Sequence, residues 1–245
     1  MYYLGGKTTI GAELSSFILS RTKKRQTYLE PFIGGAGMFR HMARHFGAVH
    51  AGDTHEDLIA MWQAVATGWV PPTEVSEEMY NQVRHSSGPS AIRGFVGFNI
   101  SFGGKWWGGY ARNWTDARED YAQRASRDIV EASRNMPPNS IGSLQTKSYD
   151  LWEPTKFRDC VVYADPPYAG TTEYKGKGFD SRLFWNVMAN WADNGVAVFV
   201  SEYSAPRGWI PVWSKRHNVR VSGGMGVRTM ERLFMREPEY PGYSL

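Results

Sequence analysis

The 245-residue sequence has a single cysteine, Cys160. One thiol excludes an internal disulfide and a cysteine-based zinc cluster. Beside an apolar, strand-like run, Cys160 reads as buried and inert. No apolar run approaches the length of a membrane span, and no secretory pattern opens the chain. The expectation is a cytoplasmic protein with no membrane partner. Internal repeats and low-complexity segments are also lacking. Histidines number six. His41 and His45 share a helix face at i, i+4, a metal-like spacing, but no third ligand is evident. They read as solvated, and no metal is expected. Acidic residues are outnumbered, 24 against 28 Lys and Arg, for a net charge of +4. That balance mildly favours a polyanionic partner. Aromatic residues are plentiful at 14%, with ten Trp. Such an excess serves either a rich core or a surface that stacks flat ligands, and composition does not choose between them.

Residues 8–20 carry Ile10, Leu14, Phe17 and Ile18 at helical spacing. "TYLEPF" (27–32) reads as a short strand leaving into a turn, "IGGAG" (33–37) as a glycine loop, and Phe39, Met42, Ala43 and Phe46 as a helical face. "AVHAGD" (48–53) predicts a second strand and "EDLIAMWQAV" (56–65) a second helix. Residues 68–140 are less regular until a helix beginning near Asp116, with Asp116 and Glu119 as a capping box and Pro137-Pro138 as its stop. "SLQTKSY" (143–149) and "CVVYA" (160–164) read as strands, 180–195 as a helix ending in Asn194-Gly195, and "VAVFVSE" (196–202) as a buried strand. The tail offers further strand candidates, such as 219–222 and 231–235. Strands alternating with helices predict an α/β fold with a mostly parallel, doubly wound sheet. Ligands of such sheets gather at the carboxyl ends of strands, where the loops 30–37 and 165–168 both fall.

In "EPFIGGAG" (30–37), Gly34, Gly35 and Gly37 permit positive φ and leave no Cβ in the way of a ligand. A tight turn before a helix would use the same residues. A dinucleotide fingerprint fails because its third glycine position is Arg40, and a P-loop in "GGKTT" fails because the required first glycine is Met1. Asp53 ends the second strand roughly twenty residues past the loop, where such folds place a ribose-binding acid. The other reading of Asp53 is a cap for the following helix.

"DPPY" (165–168) follows a buried strand. Pro166 and Pro167 fix φ and remove two N–H donors, which stiffens the loop. Asp165, a rigid carbonyl and the Tyr168 ring suit a planar group bearing an exocyclic NH2. Two acceptors hold its two hydrogens while the ring stacks on its plane. The amino nitrogen of adenine is a weak nucleophile because its lone pair is delocalised. Accepting both hydrogens favours a more pyramidal nitrogen with an available lone pair. Asp165 then orients and stabilises charge, since the neutral amine is far too weak an acid for an ordinary carboxylate to deprotonate.

Together, "YLGGK" (3–7), "EPFIGGAG" and "DPPY", in this order, resemble the Dam-like (class alpha, D12) DNA adenine-N6 methyltransferases. The resemblance implies the S-adenosylmethionine-dependent methyltransferase fold with an inserted, mainly helical recognition subdomain. Its implied domains are a catalytic part, 1–68 with 141–245, and the insertion, 69–140. S-adenosylmethionine would be the methyl donor and double-stranded DNA the partner, acted on in a bacterial or viral setting. Carried onto this chain, Tyr3 and Lys7 would touch the donor. Glu30, Phe32, Gly34, Gly35 and Gly37 would surround its methionine part, with Glu30 where many relatives have Asp. Asp53 would bind its ribose, and Tyr149 and Asp150 would lie near its adenine. Asp165, Pro166, Pro167 and Tyr168 would hold the target base, with Asp165 also facing the donor.

From Met79 to Thr115 the chain has no Asp or Glu, while Arg84, Arg93, Lys105 and Arg112 alternate with rings and amides. Cations neutralise phosphates, Asn and Arg read base edges, and a ring can fill the gap left by a flipped base. Arg93, Asn99, Phe102, Lys105, Trp106, Tyr110, Arg112 and Asn113 form the expected DNA-binding set. An ordinary aromatic-rich packing loop is the other reading. Two functional alternatives also stay open: a cytosine-N4 methyltransferase, and a DNA-binding module without catalysis on the same fold. The oligomeric state is left open, a monomer included.

Overall fold

The computed structural model describes residues 6–23, 26–112, 121–136, 143–167, 179–220 and 226–237. The chain forms two compact units, Met1–Trp152 and Glu153–Leu245. In the first, β1 (Thr27–Glu30), β2 (Ala48–Asp53) and β3 (Leu144–Thr146) run parallel in the order β3-β2-β1. Every residue of β1 is buried, as an interior parallel strand requires. The helices of this unit are α1 (Gly11–Arg21), the short α2 (Phe39–Met42) with a 3-10 turn after it, α3 (Glu56–Ala66), α4 (Glu77–Arg84), α5 (Ala91–Asn99) and α6 (Tyr121–Arg134). Leu14, Ile18, Tyr28, Leu29, Phe39, Leu58 and Trp62 are fully buried in its core.

The second unit pairs β4 (Cys160–Ala164) with β5 (Ala197–Glu202) in parallel. A long hairpin of β6 (Trp209–Arg220) and β7 (Gly226–Arg236) then joins β5 antiparallel through β7. Helix α7 (Ser181–Asp193) starts at Asp180, whose carboxylate accepts the Leu183 N–H at 2.9 Å. The Tyr163 and Ser201 hydroxyls share a buried hydrogen bond of 2.8 Å between β4 and β5. Cys160 is buried, as expected, and burial pushes its thiol up to about 12.

The α/β class with mostly parallel strands agrees with the sequence reading. Between residues 69 and 140 the described elements are helices plus one isolated bridge, Ser101 to Tyr110. Two differences have physical causes. Helices α4 and α5 are absent from the sequence reading because α4 is short and polar and α5 contains Gly94 and Gly97. Gly94 is required by packing: a Cβ there would lie 2.1 Å from the Asp57 carbonyl oxygen of α3. The tail forms one hairpin rather than short strands. Pro211 masks β6 in the sequence, and it is tolerated beside a register shift in the outer strand. The Asp116–Glu119 capping box and the Pro137-Pro138 stop lie outside the described residues. Among the described residues no helix is long and apolar enough to cross a membrane.

Candidate functional site

Asp53 is the last residue of β2, and its backbone carbonyl accepts the Lys147 N–H at 3.0 Å. One carboxylate oxygen accepts the Gly34 N–H at 3.2 Å, and the other accepts the His55 N–H at 3.1 Å. Asp53 therefore staples the glycine loop to the strand end. Residue His55, not Asp53, stands at the N-cap position of α3 and makes no side-chain cap. Asp53 is packed closely by protein atoms and keeps only a minor part of its surface in water. Desolvation holds its carboxyl above the ordinary 3.8, partly offset by the His55, Gly34 and Thr54 N–H groups. A carboxylate offers about four lone-pair sites, so these backbone N–H groups leave room for a hydroxyl donor.

The loop after β1 continues the ladder through the Ile33 N–H, which donates to the Gly52 carbonyl at 2.8 Å. It then turns through Gly34 (φ 44°) and Ala36 (φ 53°). The Trp62 indole of α3 donates to the Gly34 carbonyl at 2.9 Å and fixes the loop from below. Gly37 has a structural reason of its own. A Cβ there would lie 3.0 Å from the Lys7 backbone nitrogen, and a Cβ on Gly11 would lie 2.4 Å from the Gly37 carbonyl oxygen. The sequence reading assigned this close approach to a ligand; at Gly37 the segment carrying Lys7 occupies it. Glu30 is buried and accepts the Tyr28 hydroxyl at 2.6 Å. Phe32 and Tyr149 stack with ring centroids 5.4 Å apart. The structure thus brings Lys7, Glu30, Phe32, Gly34, Gly37, Asp53 and Tyr149 into one unit around the ends of β1 and β2. Gly35, half-buried, lies in the same turn. Asp150 is exposed and accepts the Ser148 hydroxyl. Tyr3 lies outside the described residues.

A nucleoside-type donor fits these residues on three counts. A desolvated acid ends β2, a stacked aromatic pair joins the segments that follow β1 and β3, and the glycine turn carries two residues in the left-handed region.

Among the expected DNA-binding residues the structure separates two groups. Arg93 turns inward. Its Nε lies 3.3 Å from an Asp57 carboxylate oxygen, and Nη1 donates to the carbonyls of Val83 (3.1 Å), Arg84 (3.2 Å) and Ser86 (2.6 Å). Asn99 is buried and donates to the Phe95 carbonyl at 3.2 Å. The Trp106 ring lies over Gly97, where a Cβ would come within 2.2 Å of it, and meets His55 with centroids 4.2 Å apart. Tyr110 donates its hydroxyl to the Val75 carbonyl at 2.8 Å. These four residues make packing and bracing contacts within the first unit. Phe102 and Lys105 are exposed, and exposed Arg112 pairs with Glu77. Asn113 lies outside the described residues. Sequence reasoning missed Trp62, His55 and the Asp57–Arg93 pair. Nothing local in the sequence links residues so far apart.

In the second unit Asp165 follows β4 directly, half-buried, with Pro166 buried and Pro167 half-buried behind it. Tyr168 lies outside the described residues. Glu202, at the end of β5, is buried and its carboxylate accepts the Tyr203 N–H at 2.9 Å. His41 is held below its ordinary 6.5 chiefly by burial, and Arg40 and Arg44 add to the shift. Among the described residues no group of three His, Cys, Asp or Glu could hold a metal ion.

Residues 3–91 match the family D12 class N6 adenine-specific DNA methyltransferase. Over 193 residues the chain is 36% identical to a type II methyltransferase, M.CviBI, of Paramecium bursaria Chlorella virus NC1A. That alignment covers 67% of this chain and spans 66% of the relative's length. The chain belongs to the D12 class of N6 adenine-specific DNA methyltransferases. Among solved structures, the rRNA methyltransferase aviRa from Streptomyces viridochromogenes aligns over 92% of this chain and 84% of that one. Identity is 14% and the TM-score 0.39, a likeness too slight to argue from.

Proposed function

We propose that this protein transfers a methyl group from S-adenosylmethionine to N6 of adenine in double-stranded DNA. The observation that carries the reading is the family match, joined to an intact Asp165-Pro166-Pro167 turn leaving a fully buried strand. The donor supplies an electrophilic methyl on a sulfonium. Asp53 would hold its ribose hydroxyls, Glu30, Phe32 and the turn 34–37 its methionine part, with Lys7 beside them, and Tyr149 its base. At the acceptor, Asp165 and a carbonyl of the stiff loop would take hydrogen bonds from the amine, orienting the nitrogen lone pair. When the nitrogen gains positive charge, Asp165 stabilises it and the proton becomes acidic enough to leave. A paired adenine hides its N6 within the stack, so the base must be extruded.

In this reading, residues 1–68 and 141–245 do the chemistry and 69–140 read the target. Lys105 and Arg112 are its phosphate contacts. Arg93, Asn99, Trp106 and Tyr110 support it from within.

Calorimetry with the donor, followed by transfer of tritiated methyl to unmethylated DNA, tests the reading. Digestion and mass analysis of the nucleosides then distinguishes N6-methyladenine from N4-methylcytosine. Asp165→Ala should keep donor affinity and lose transfer by roughly a hundred- to a thousand-fold, the usual effect of removing one transition-state contact. Undiminished turnover by Asp165→Ala would refute the assignment.

A further inference from the structure

The hairpin of the second unit concentrates positive charge. Between residues 203 and 230 there is no Asp or Glu, while Arg207, Lys215, Arg216, Arg220 and Arg228 all fall there. Strand pairing sorts the last four. The β6–β7 ladder runs without a shift from the Trp213–Leu233 pair to the Arg220–Gly226 pair. Arg216 stands opposite Met230, Asn218 opposite Arg228, and Arg220 opposite Gly226. Successive residues of a strand alternate between faces, so positions 216, 218, 220 and 228 share one face. Arg216 is exposed. Position 232, on the same face but nearer the body of the sheet, is occupied by an arginine that donates to the Tyr203 carbonyl. Lys215 and Glu231 stand opposite each other and belong to the other face. Glu231 is the one acid of the two strands, and it is buried. The face of Arg216, Arg220 and Arg228 therefore has no acid of its own.

The same pairing fixes where this face stands within the unit. β5 pairs with β7 only as far as Glu202 and Arg232. Residues 226–231 continue beyond the carboxyl end of β5, paired to β6. β4 runs parallel to β5 with Ala164 opposite Val200, and Asp165 comes next. Asp165 is thus level with Ser201, whose partner on β7 is Leu233. The ribbon extends past that level, on the rim where Asp165 leaves β4. At about 3.4 Å per residue, the backbone at Arg216 lies about 10 Å, and that at Arg220 about 24 Å, beyond it. A two-stranded ribbon is slim enough to lie along the major groove of a duplex. Guanidinium groups bind phosphate oxygens through paired donors.

We propose that the face of the β6–β7 ribbon carrying Arg216, Arg220 and Arg228 binds the phosphate backbone of DNA beside the target base. The inference rests on DNA being the substrate, as in the proposed function. It deepens that reading by naming a contact surface on the second unit, outside residues 69–140. A base held at Asp165 is still tied to its strand, so the flanking duplex must pass the rim from which the ribbon extends.

The test is equilibrium binding of the full chain to two short duplexes of unlike sequence, across a salt series, with S-adenosylhomocysteine present. Arg216→Gln should lower the magnitude of the slope of log affinity against log salt by about 0.9, the value of one phosphate contact. Replacing Arg216, Arg220 and Arg228 together by Gln should lower it by about 2.7, alike on both duplexes. Lys215→Gln, on the opposite face, should leave the slope unchanged. Calorimetry should give the same S-adenosylhomocysteine affinity in every variant. A triple variant that loses this affinity has misfolded, and the Arg216 and Lys215 variants then decide. An unchanged slope in Arg216→Gln and in the folded triple variant overturns the proposal. So does a slope lowered as much by Lys215→Gln as by Arg216→Gln, which would mean diffuse charge, or a loss confined to one duplex, which would mean base reading. The readout is binding alone. A parent protein that binds with the expected slopes yet transfers no methyl group sinks the proposed function and leaves the ribbon standing. One that methylates DNA while its variants keep the parent slope sinks the ribbon alone.

Discussion

Arg93→Ala should cost the first unit about 3–5 kcal/mol, the range for removing one partner of a buried ion pair. The Arg93 and Asp57 side chains are 16% and 11% exposed, so water screens the pair poorly. Truncation leaves Asp57 with the Ser90 N–H at 2.8 Å and no cation at Nε distance. It also removes a donor from three carbonyls. Those of Arg84 and Ser86 are reached by water and recover most of the loss, whereas that of Val83 is partly buried and does not. At about 2–4 °C per kcal/mol for a unit of this size, the melting midpoint should fall by roughly 6–20 °C. Arg93→Lys should recover less than half, because an ammonium lacks the planar fork that reaches Asp57 and the carbonyls together. Thermal and urea unfolding supply the measurement, and a double-mutant cycle with Asp57→Ala isolates the pair. A midpoint shift within about 2 °C, with a DNA-binding salt slope lowered by about one, would refute the reasoning. Arg93 would then be a phosphate contact, and its inward bonds would carry no weight.

Gly94→Ala should destabilise by about 2 kcal/mol or more in urea, despite a helix-propensity gain of about 1 kcal/mol. The new methyl would meet the Asp57 carbonyl oxygen at 2.1 Å, and a neutral or stabilising result would mean that α5 is not seated on α3 as described. Burial holds His41, His50 and His55 below 6.5, so each binds a proton more readily in the unfolded chain. Their contribution to stability is complete above pH 6.5 and declines as the pH drops through their lowered folded values. Urea midpoints at about pH 7.5 and about pH 5.5 should show the decline, and His50→Gln should lessen it; an identical drop in both proteins would exclude His50. Cys160, its thiol pushed up to about 12, should resist Ellman's reagent until the chain is unfolded. Prompt reaction in the native protein would contradict its burial.

Where a segment's own pattern decides its structure, the sequence was readable. The buried runs of β1, β4 and β5, the amphipathic spacing of α3 and the helical stretch of α7 ending at Asn194-Gly195 are local features. The structure places each within a few residues of its expected position. Asp53 was readable because a strand end followed by a helix start is also local. Structure set by distant partners was not readable. Arg93 looked like a free cation because Asp57 lies far away in sequence, and Trp106 looked like a stacking ring because nothing local reveals Gly97 beneath it. Helix α5 was hidden for the same reason. Its glycines, poor helix formers alone, are dictated by the neighbouring α3.

On the proposed assignment of residues 69–140 to target reading, the seating of α5 on α3 limits how that specificity can be re-engineered. Grafting residues 69–140 from another chain would transplant a surface that must interlock with the host's Asp57 and Met61. The incoming segment needs a residue without a side chain opposite the Asp57 carbonyl and a forked cation in reach of its carboxylate. Chimeras chosen by exposed residues alone would swap the outer surface and lose its foundation. Those that also exchange α3 would carry the matching socket with them.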